Sequence, residues 1–176
     1  ENVPPHKPCA DGPQAPQTEC KLKRHTMFSA KTYAARRNML RTKIGSGIIL
    51  LPGNSLSPNN YPNNAYYFRQ DSSFRYYFGL NTPSLAGLID ADTGEEALYG
   101  DDFTVEDIIW TGPQPTLREL GAEVGVTATF PMAELEKRLR KAVSLGRKIH
   151  YLPPYRGETK LQLSALLGIK PELLHD

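Results

Sequence analysis

A chain of 176 residues with 39% hydrophobic and 23% charged content has the make-up of one globular domain with a real core, which excludes a fibre or an acidic disordered tail. Its formal charge of +2 at pH 7 supplies no field that would draw it onto nucleic acid or an anionic membrane. No apolar run approaches the roughly 18 residues that a membrane-spanning helix needs, so neither nucleic acid nor membrane is expected as a partner.

Both cysteines, Cys9 and Cys20, fall within the first 26 residues, and the body from Met27 onward has none. The body therefore relies on neither a disulfide nor thiolate ligands, which suits a cytoplasmic protein. The same segment holds five of the fifteen prolines and shows no apolar periodicity, so residues 1–26 are expected to be a disordered or non-native Pro-rich leader. The domain is expected to span 27–176.

From Met27 helical and strand patterns alternate, as in a layered α/β domain. Ser29 can cap a helix that carries Tyr33, Arg37, Leu40 and Ile44 at helical spacing and stops at Gly45, packing through Tyr33, Leu40 and Ile44. Ile48 to Leu51 is a short apolar run ended by Pro52-Gly53, the pattern of an interior strand buried on both faces. After a loop rich in Asn, Pro and Ser, the runs Leu85–Ala91 and Glu95–Tyr99 flank Asp92-Thr93-Gly94, which is hairpin chemistry because glycine supplies a positive φ. Pro115–Leu120 and Pro131–Leu145 read as helices, the second with Met132, Leu135, Leu139 and Val143 on its apolar stripe. Lys148–Leu152 is a late strand, and Leu161–Leu167 a short helix closed by Gly168. The expected fold is a single α/β domain, a mixed sheet flanked by helices.

Candidate chemistry is sparse. The histidines at 6, 25, 150 and 175 are scattered, and His150 reads as an ordinary strand histidine and not a metal ligand. The acidic pairs Glu95/Glu96, Asp101/Asp102 and Glu106/Asp107 are adjacent, so their side chains diverge; a solvated surface is expected, not a shared proton. Gly45-Ser46-Gly47 precedes a strand, whereas a phosphate cradle needs glycines after one. Lys137, Arg138, Arg140, Lys141, Arg147 and Lys148 are interleaved with Glu134 and Glu136, which favours a solvated helix face over a nucleic-acid surface.

Generic patterning leaves one stretch unexplained, from Tyr66 to Gly79, which packs four tyrosines, three phenylalanines and two arginines into fourteen residues. Its physical reading is a buried aromatic segment whose tyrosine hydroxyls and Arg69 find hydrogen bonds at the sheet edge. The string Tyr66, Phe68, Arg69, Gln70, Asp71, Ser72, Phe74, Tyr76 and Gly79 also resembles the signature Y-P-F-R-Q-D-S-D-F-Y-Y-L-T-G-F of N-terminal domains in Xaa-Pro aminopeptidases. It departs mainly by Tyr67 for Pro, Ser73 for Asp, Phe78 for Thr and Leu80 for Phe. The resemblance extends to Arg36-Arg37 in the preceding helix, to the Asn81-Thr82-Pro83 step, and to Glu106–Gly112, which resembles the family's acidic-x-x-x-Trp-x-Gly segment. It covers roughly residues 28–152.

The resemblance implies a domain of the creatinase and prolidase superfamily with a mixed, roughly six-stranded sheet. It implies a downstream catalytic domain holding two divalent metals, usually manganese, and no metal, cofactor or catalytic residue in this chain, which is expected to be inactive alone. Peptides with proline at the second position are the implied substrates, and homo-oligomerisation is implied for the full-length enzyme. The domain would shape access to the active site. Trp110 is a candidate for the substrate rim, with core packing as its other reading. Asn63 is a second rim candidate, or a plain turn asparagine. A stand-alone peptide- or protein-binding module of the same fold is the competing class.

Overall fold

The alternating pattern resolves, in a computed structural model that describes residues 26–61 and 64–174, into five strands and six α-helices. In chain order they are α1 (Ala30–Ile44), β1 (Ile48–Pro52), α2 (Ser72–Phe78), β2 (Ala86–Asp90), β3 (Glu96–Tyr99) and α3 (Val105–Thr111). There follow α4 (Leu117–Glu123), β4 (Ala128–Phe130), α5 (Met132–Ser144), β5 (Ile149–His150), α6 (Gly157–Leu167) and a 3₁₀ turn at Pro171–Leu173. One mixed sheet runs in the order β4-β3-β2-β1-β5, antiparallel at β1–β2 and β2–β3 and parallel at β3–β4 and β1–β5. The single α/β domain stands as expected, with five strands among the described residues in place of about six. Most of the leader, with both cysteines, lies outside the described residues, as does Asn63.

The sheet divides the core in two. β1 is covered on both faces, so its side chains alternate between two apolar clusters. Ile49 and Leu51 join Tyr33, Phe74, Phe78 and Leu120 on the α1, α2 and α4 side. Ile48 and Leu50 join Leu135, Leu139 and Leu163 on the α5 and α6 side. β2 is buried throughout, and at Gly87 a side chain would run into the Phe78 ring, its Cβ 2.1 Å from Cε2. Glycine there lets α2 lie directly on the sheet.

Two helix faces differ from expectation. In α5 the buried set is Leu135, Leu139 and Ala142, while Val143 is exposed. At 3.6 residues per turn, steps of four drift by about 40°, so 142 returns to the stripe where 143 has left it. In α1 the buried residues are Tyr33 and Arg37; Leu40 is partly buried and Ile44 exposed. The helix presents a guanidinium where an aliphatic side chain is expected, because α2 ends against it with free carbonyls. Ser29 occupies the N-cap of α1, yet its hydroxyl meets that of Thr32, 3.1 Å away, and no backbone N–H.

The adjacent acidic residues diverge as expected, and Glu106 is exposed, but the other five are not merely solvated. Glu95 accepts from Arg138, and Glu96 from Arg37. Asp101 accepts from the Met132 N–H at the start of α5, Asp102 from the Leu117 N–H at the start of α4, and Asp107 closes a capping box with Thr104. Each satisfies helix-end donors that otherwise lack partners.

Of the basic residues on α5 and after it, Lys137, Arg138, Arg140 and Arg147 are likewise drawn into pairs. Arg147 donates to both oxygens of Asp90, at 2.9 and 2.7 Å, and to Asp92 at 2.5 Å, tying the entry of β5 to the β2–β3 turn. That fork pulls the Asp90 carboxyl down from 3.8 to about 2, against the opposing push of burial, with help from the Thr93 N–H. A depressed carboxylate stabilises the fold above its unfolded pKa, and that contribution is lost as pH falls from about 4 through about 2. Asp90→Asn is therefore expected to cost about 2 kcal/mol at neutral pH. In urea titrations over a pH series, the gap between the variant and the parent should close toward pH 2; a gap that stays constant contradicts the assignment.

No helix among the described residues is long and apolar enough to cross a membrane.

Candidate functional site

β1, β3, β4 and β5 all leave the sheet at the end where β2 enters, so the connecting segments gather there. The loop after β1 is held by one amide. Gln70 is buried; its Oε1 accepts from the N–H groups of Asn54 (2.6 Å) and Asp71 (2.8 Å), and its Nε2 donates to the Thr82 carbonyl at 2.8 Å. Asn54 in turn donates through Nδ2 to the Arg69 carbonyl at 2.9 Å. Gln70 offers both donors and acceptors, and here it satisfies backbone groups from three segments that no ladder reaches.

Asp71 starts α2. Its Oδ1 accepts from the N–H groups of Ser73 and Phe74, both at 2.9 Å, and its Oδ2 accepts from the Tyr155 hydroxyl at 3.2 Å. The other end of α2 is held by the arginine pair: Arg36 donates to the Tyr76 carbonyl and Arg37 to the Tyr77 carbonyl. Gly79 then turns into the left-handed region at φ +71°. The aromatic stretch is thus a loop and a two-turn helix, and not a strand-like edge. Phe74 and Phe78, four residues apart, stack at 5.3 Å and are fully buried. A helix hides one face only, so Tyr66, Tyr67 and Tyr76 are exposed and Phe68 is half-buried. This corrects the expectation that the whole segment lies in the core. Arg69 is exposed and its guanidinium makes no hydrogen bond among the described residues, also against expectation.

α3 is built by its ends and not by packing. Thr104 and Asp107 form a reciprocal capping box and the Gly112 N–H closes the last turn, yet no residue of the helix is buried. Val105, Ile109 and Trp110 are exposed, Trp110 at 83%, which removes core packing as a reading of Trp110. The start of α3 shares a recess of about 360 Å³ with Leu56, Pro83 and Leu120, so the helix belongs to the same end of the sheet as Gln70 and Asp71.

Beside α2, Asn54, Arg69, Ser72, Tyr155 and Arg156 line a second recess of about 440 Å³. Tyr155 and Arg156 lie beyond the stretch that carries the resemblance. Their signal in the sequence is slight: two side chains with polar tips directly after Pro153-Pro154. His150, through Nε2, hydrogen-bonds with the Ser46 carbonyl at 2.9 Å, an ordinary role for a strand histidine. Among the described residues no three His, Cys, Asp or Glu side chains gather as metal ligands.

A family model described as the aminopeptidase P N-terminal domain matches residues 33–151. Aminopeptidase P from Escherichia coli in its low-pH form shares the fold with a TM-score of 0.67 at 18% identity, over 81% of this chain and 33% of that one. Aminopeptidase PepP of Pseudomonas aeruginosa gives 0.67 at 21% identity, over 80% and 32%. Zinc-substituted E. coli aminopeptidase P in complex with product gives 0.67 at 18%, over 80% and 33%. The chain spans about a third of the length of these structures. Comparison with curated proteins finds no match.

Proposed function

Since this chain belongs to the aminopeptidase P N-terminal domain family, we propose that it is the non-catalytic N-terminal domain of a Xaa-Pro aminopeptidase, and that it shapes access to the active site and supports oligomerisation. An aminopeptidase has to admit a free amino end and exclude internal chain, and a neighbouring domain that walls the cleft does so sterically. The observation that carries this reading is α3. A helix that is capped at its start and has no buried residue exposes Val105, Ile109 and Trp110 to solvent, a cost that is recovered when they are covered by another surface. Trp110 offers a flat ring suited to stack on a proline.

In this reading the hydrolysis belongs to a catalytic domain downstream, where two divalent metals, manganese in the family's usual form, would activate water and stabilise the oxyanion. The described residues of this chain present no ligand cluster for such ions, and no step is assigned to them. Peptides with proline second are the substrates, the catalytic domain and further copies of the enzyme are the partners, and the cytoplasm is the compartment.

The test uses the longer protein containing this chain. Trp110→Ala is expected to lower kcat/KM for a Xaa-Pro peptide by roughly tenfold, about 1.4 kcal/mol, with the melting temperature unchanged because the residue is 83% exposed. Unaltered kinetics would take α3 away from the active-site rim. The 176-residue chain supplied with manganese is expected to leave the same peptide intact, and cleavage would refute the non-catalytic assignment.

A further inference from the structure

We propose that the recess between Arg69 and Arg156 is an oxyanion-binding site that takes a carboxylate or phosphate group. Its five lining residues, Asn54, Arg69, Ser72, Tyr155 and Arg156, all carry N–H or O–H donors and include no carboxylate. Arg69 stands on a fixed stem, since its carbonyl accepts from Asn54 Nδ2 and the next residue is the buried Gln70. Its guanidinium has no acceptor among the described residues. Arg156 donates through Nε to Glu158 at 3.3 Å and through Nη2 to the Ser57 hydroxyl, which leaves Nη1 uncommitted. The Ser72 hydroxyl and the second N–H of Asn54 are also free.

The neighbouring carboxylates do not fill the recess. Asp71 is occupied by Ser73, Phe74 and Tyr155, and Glu158 is held by Arg156. Two guanidiniums on one recess repel each other. An oxyanion between them removes that repulsion and supplies the paired acceptors to which a guanidinium fork is matched. The inference does not depend on the peptidase reading.

The chain is titrated at constant ionic strength with inorganic phosphate, with a short peptide bearing a free carboxylate, and with the same peptide amidated, while backbone amide chemical shifts are followed. Saturable shifts at Asn54, Ser72 and Arg156 are expected, with Kd on the order of 1 mM. Arg69→Gln and Arg156→Gln should each weaken binding by roughly tenfold. Arg118→Gln, which removes an exposed charge elsewhere on the surface, should leave it unchanged. Binding of phosphate alone identifies a phosphate group, and binding of the peptide that is lost on amidation identifies a carboxylate. The proposal is overturned if no ligand gives saturable shifts, if neither recess variant weakens binding, or if Arg118→Gln weakens it equally.

Discussion

Replacing Arg37 by Met is expected to destabilise the domain by roughly 3 kcal/mol, the range in which removing one partner of a buried charge pair falls. Arg37 is 0% exposed, and its three donors reach three separate elements. Nε donates to Glu96 of β3 at 2.8 Å, Nη1 to the Tyr77 carbonyl in α2 at 3.0 Å, and Nη2 to the Val124 carbonyl after α4 at 3.0 Å. The guanidinium also lies 5.2 Å from the centre of the Phe78 ring. Methionine replaces much of the volume but no donor, so two carbonyls and a mostly buried carboxylate lose their partners together. Lysine should rescue only part of the loss, because an ammonium cannot hold the three directions of a planar fork. Urea denaturation gives the test. A methionine variant within about 1 kcal/mol of the parent would show that water reaches these groups and that Arg37 is dispensable as a cross-brace.

The second large effect is expected at Gly79. An alanine Cβ there would lie 2.2 Å from Cζ and 2.5 Å from the hydroxyl of Tyr33, at a φ of +71°. Tyr33 is buried in the core beside α2, so the ring has no free direction in which to withdraw. Left-handed strain of roughly 1 kcal/mol adds to an overpacking cost of about 2 kcal/mol. Gly168 provides the matched control, also left-handed at φ +67° and with no atom within 4 Å of the added Cβ. Gly168→Ala should therefore show the strain alone. If the two variants unfold at the same urea concentration, the contact with Tyr33 is not what requires glycine at 79.

Much of the architecture was legible in the sequence because it depends on local signals. The Asp92-Thr93-Gly94 turn, the doubly apolar Ile48–Leu51 run and the helix stops at Gly45 and Gly168 each imply their element from neighbouring residues. The resemblance read from Tyr66–Gly79 agrees with the family match. What escaped depends on distant partners. Arg37 falls at helical spacing with Tyr33 and Leu40, but its charge gives no local sign of burial, and only the carbonyls of Tyr77 and Val124, far along the chain, explain it. The aromatic stretch could not reveal its helix, since seven residues give too few turns for a period, and the decisive signal was the Asp71 cap. α3 was missed for a related reason: its apolar residues face no core, so they trace no buried stripe. Of the two rim candidates, Trp110 is placed at an exposed position, while Asn63 lies outside the described residues. The recess at Arg69 has no compact motif, because Asn54, Arg69 and Arg156 come from three separate segments.

The mixed pairing of the sheet has a consequence for how it assembles. The β2–β3 hairpin closes over a short turn, and β1 joins it antiparallel. The parallel pair β1–β5 joins Ile48 to Ile149 and Ile49 to His150, across about a hundred residues and with only two residues of strand. The entropic cost of closing so long a loop must be met before so short a ladder rewards it. The sheet is therefore expected to nucleate at its antiparallel middle and to receive β5 late, with Arg147 docking onto Asp90 and Asp92 as the latch. On this kinetic view the stability that the clamp contributes is read as a longer lifetime of the last strand to arrive and not as faster folding, because a contact absent from the transition state acts mainly by slowing departure.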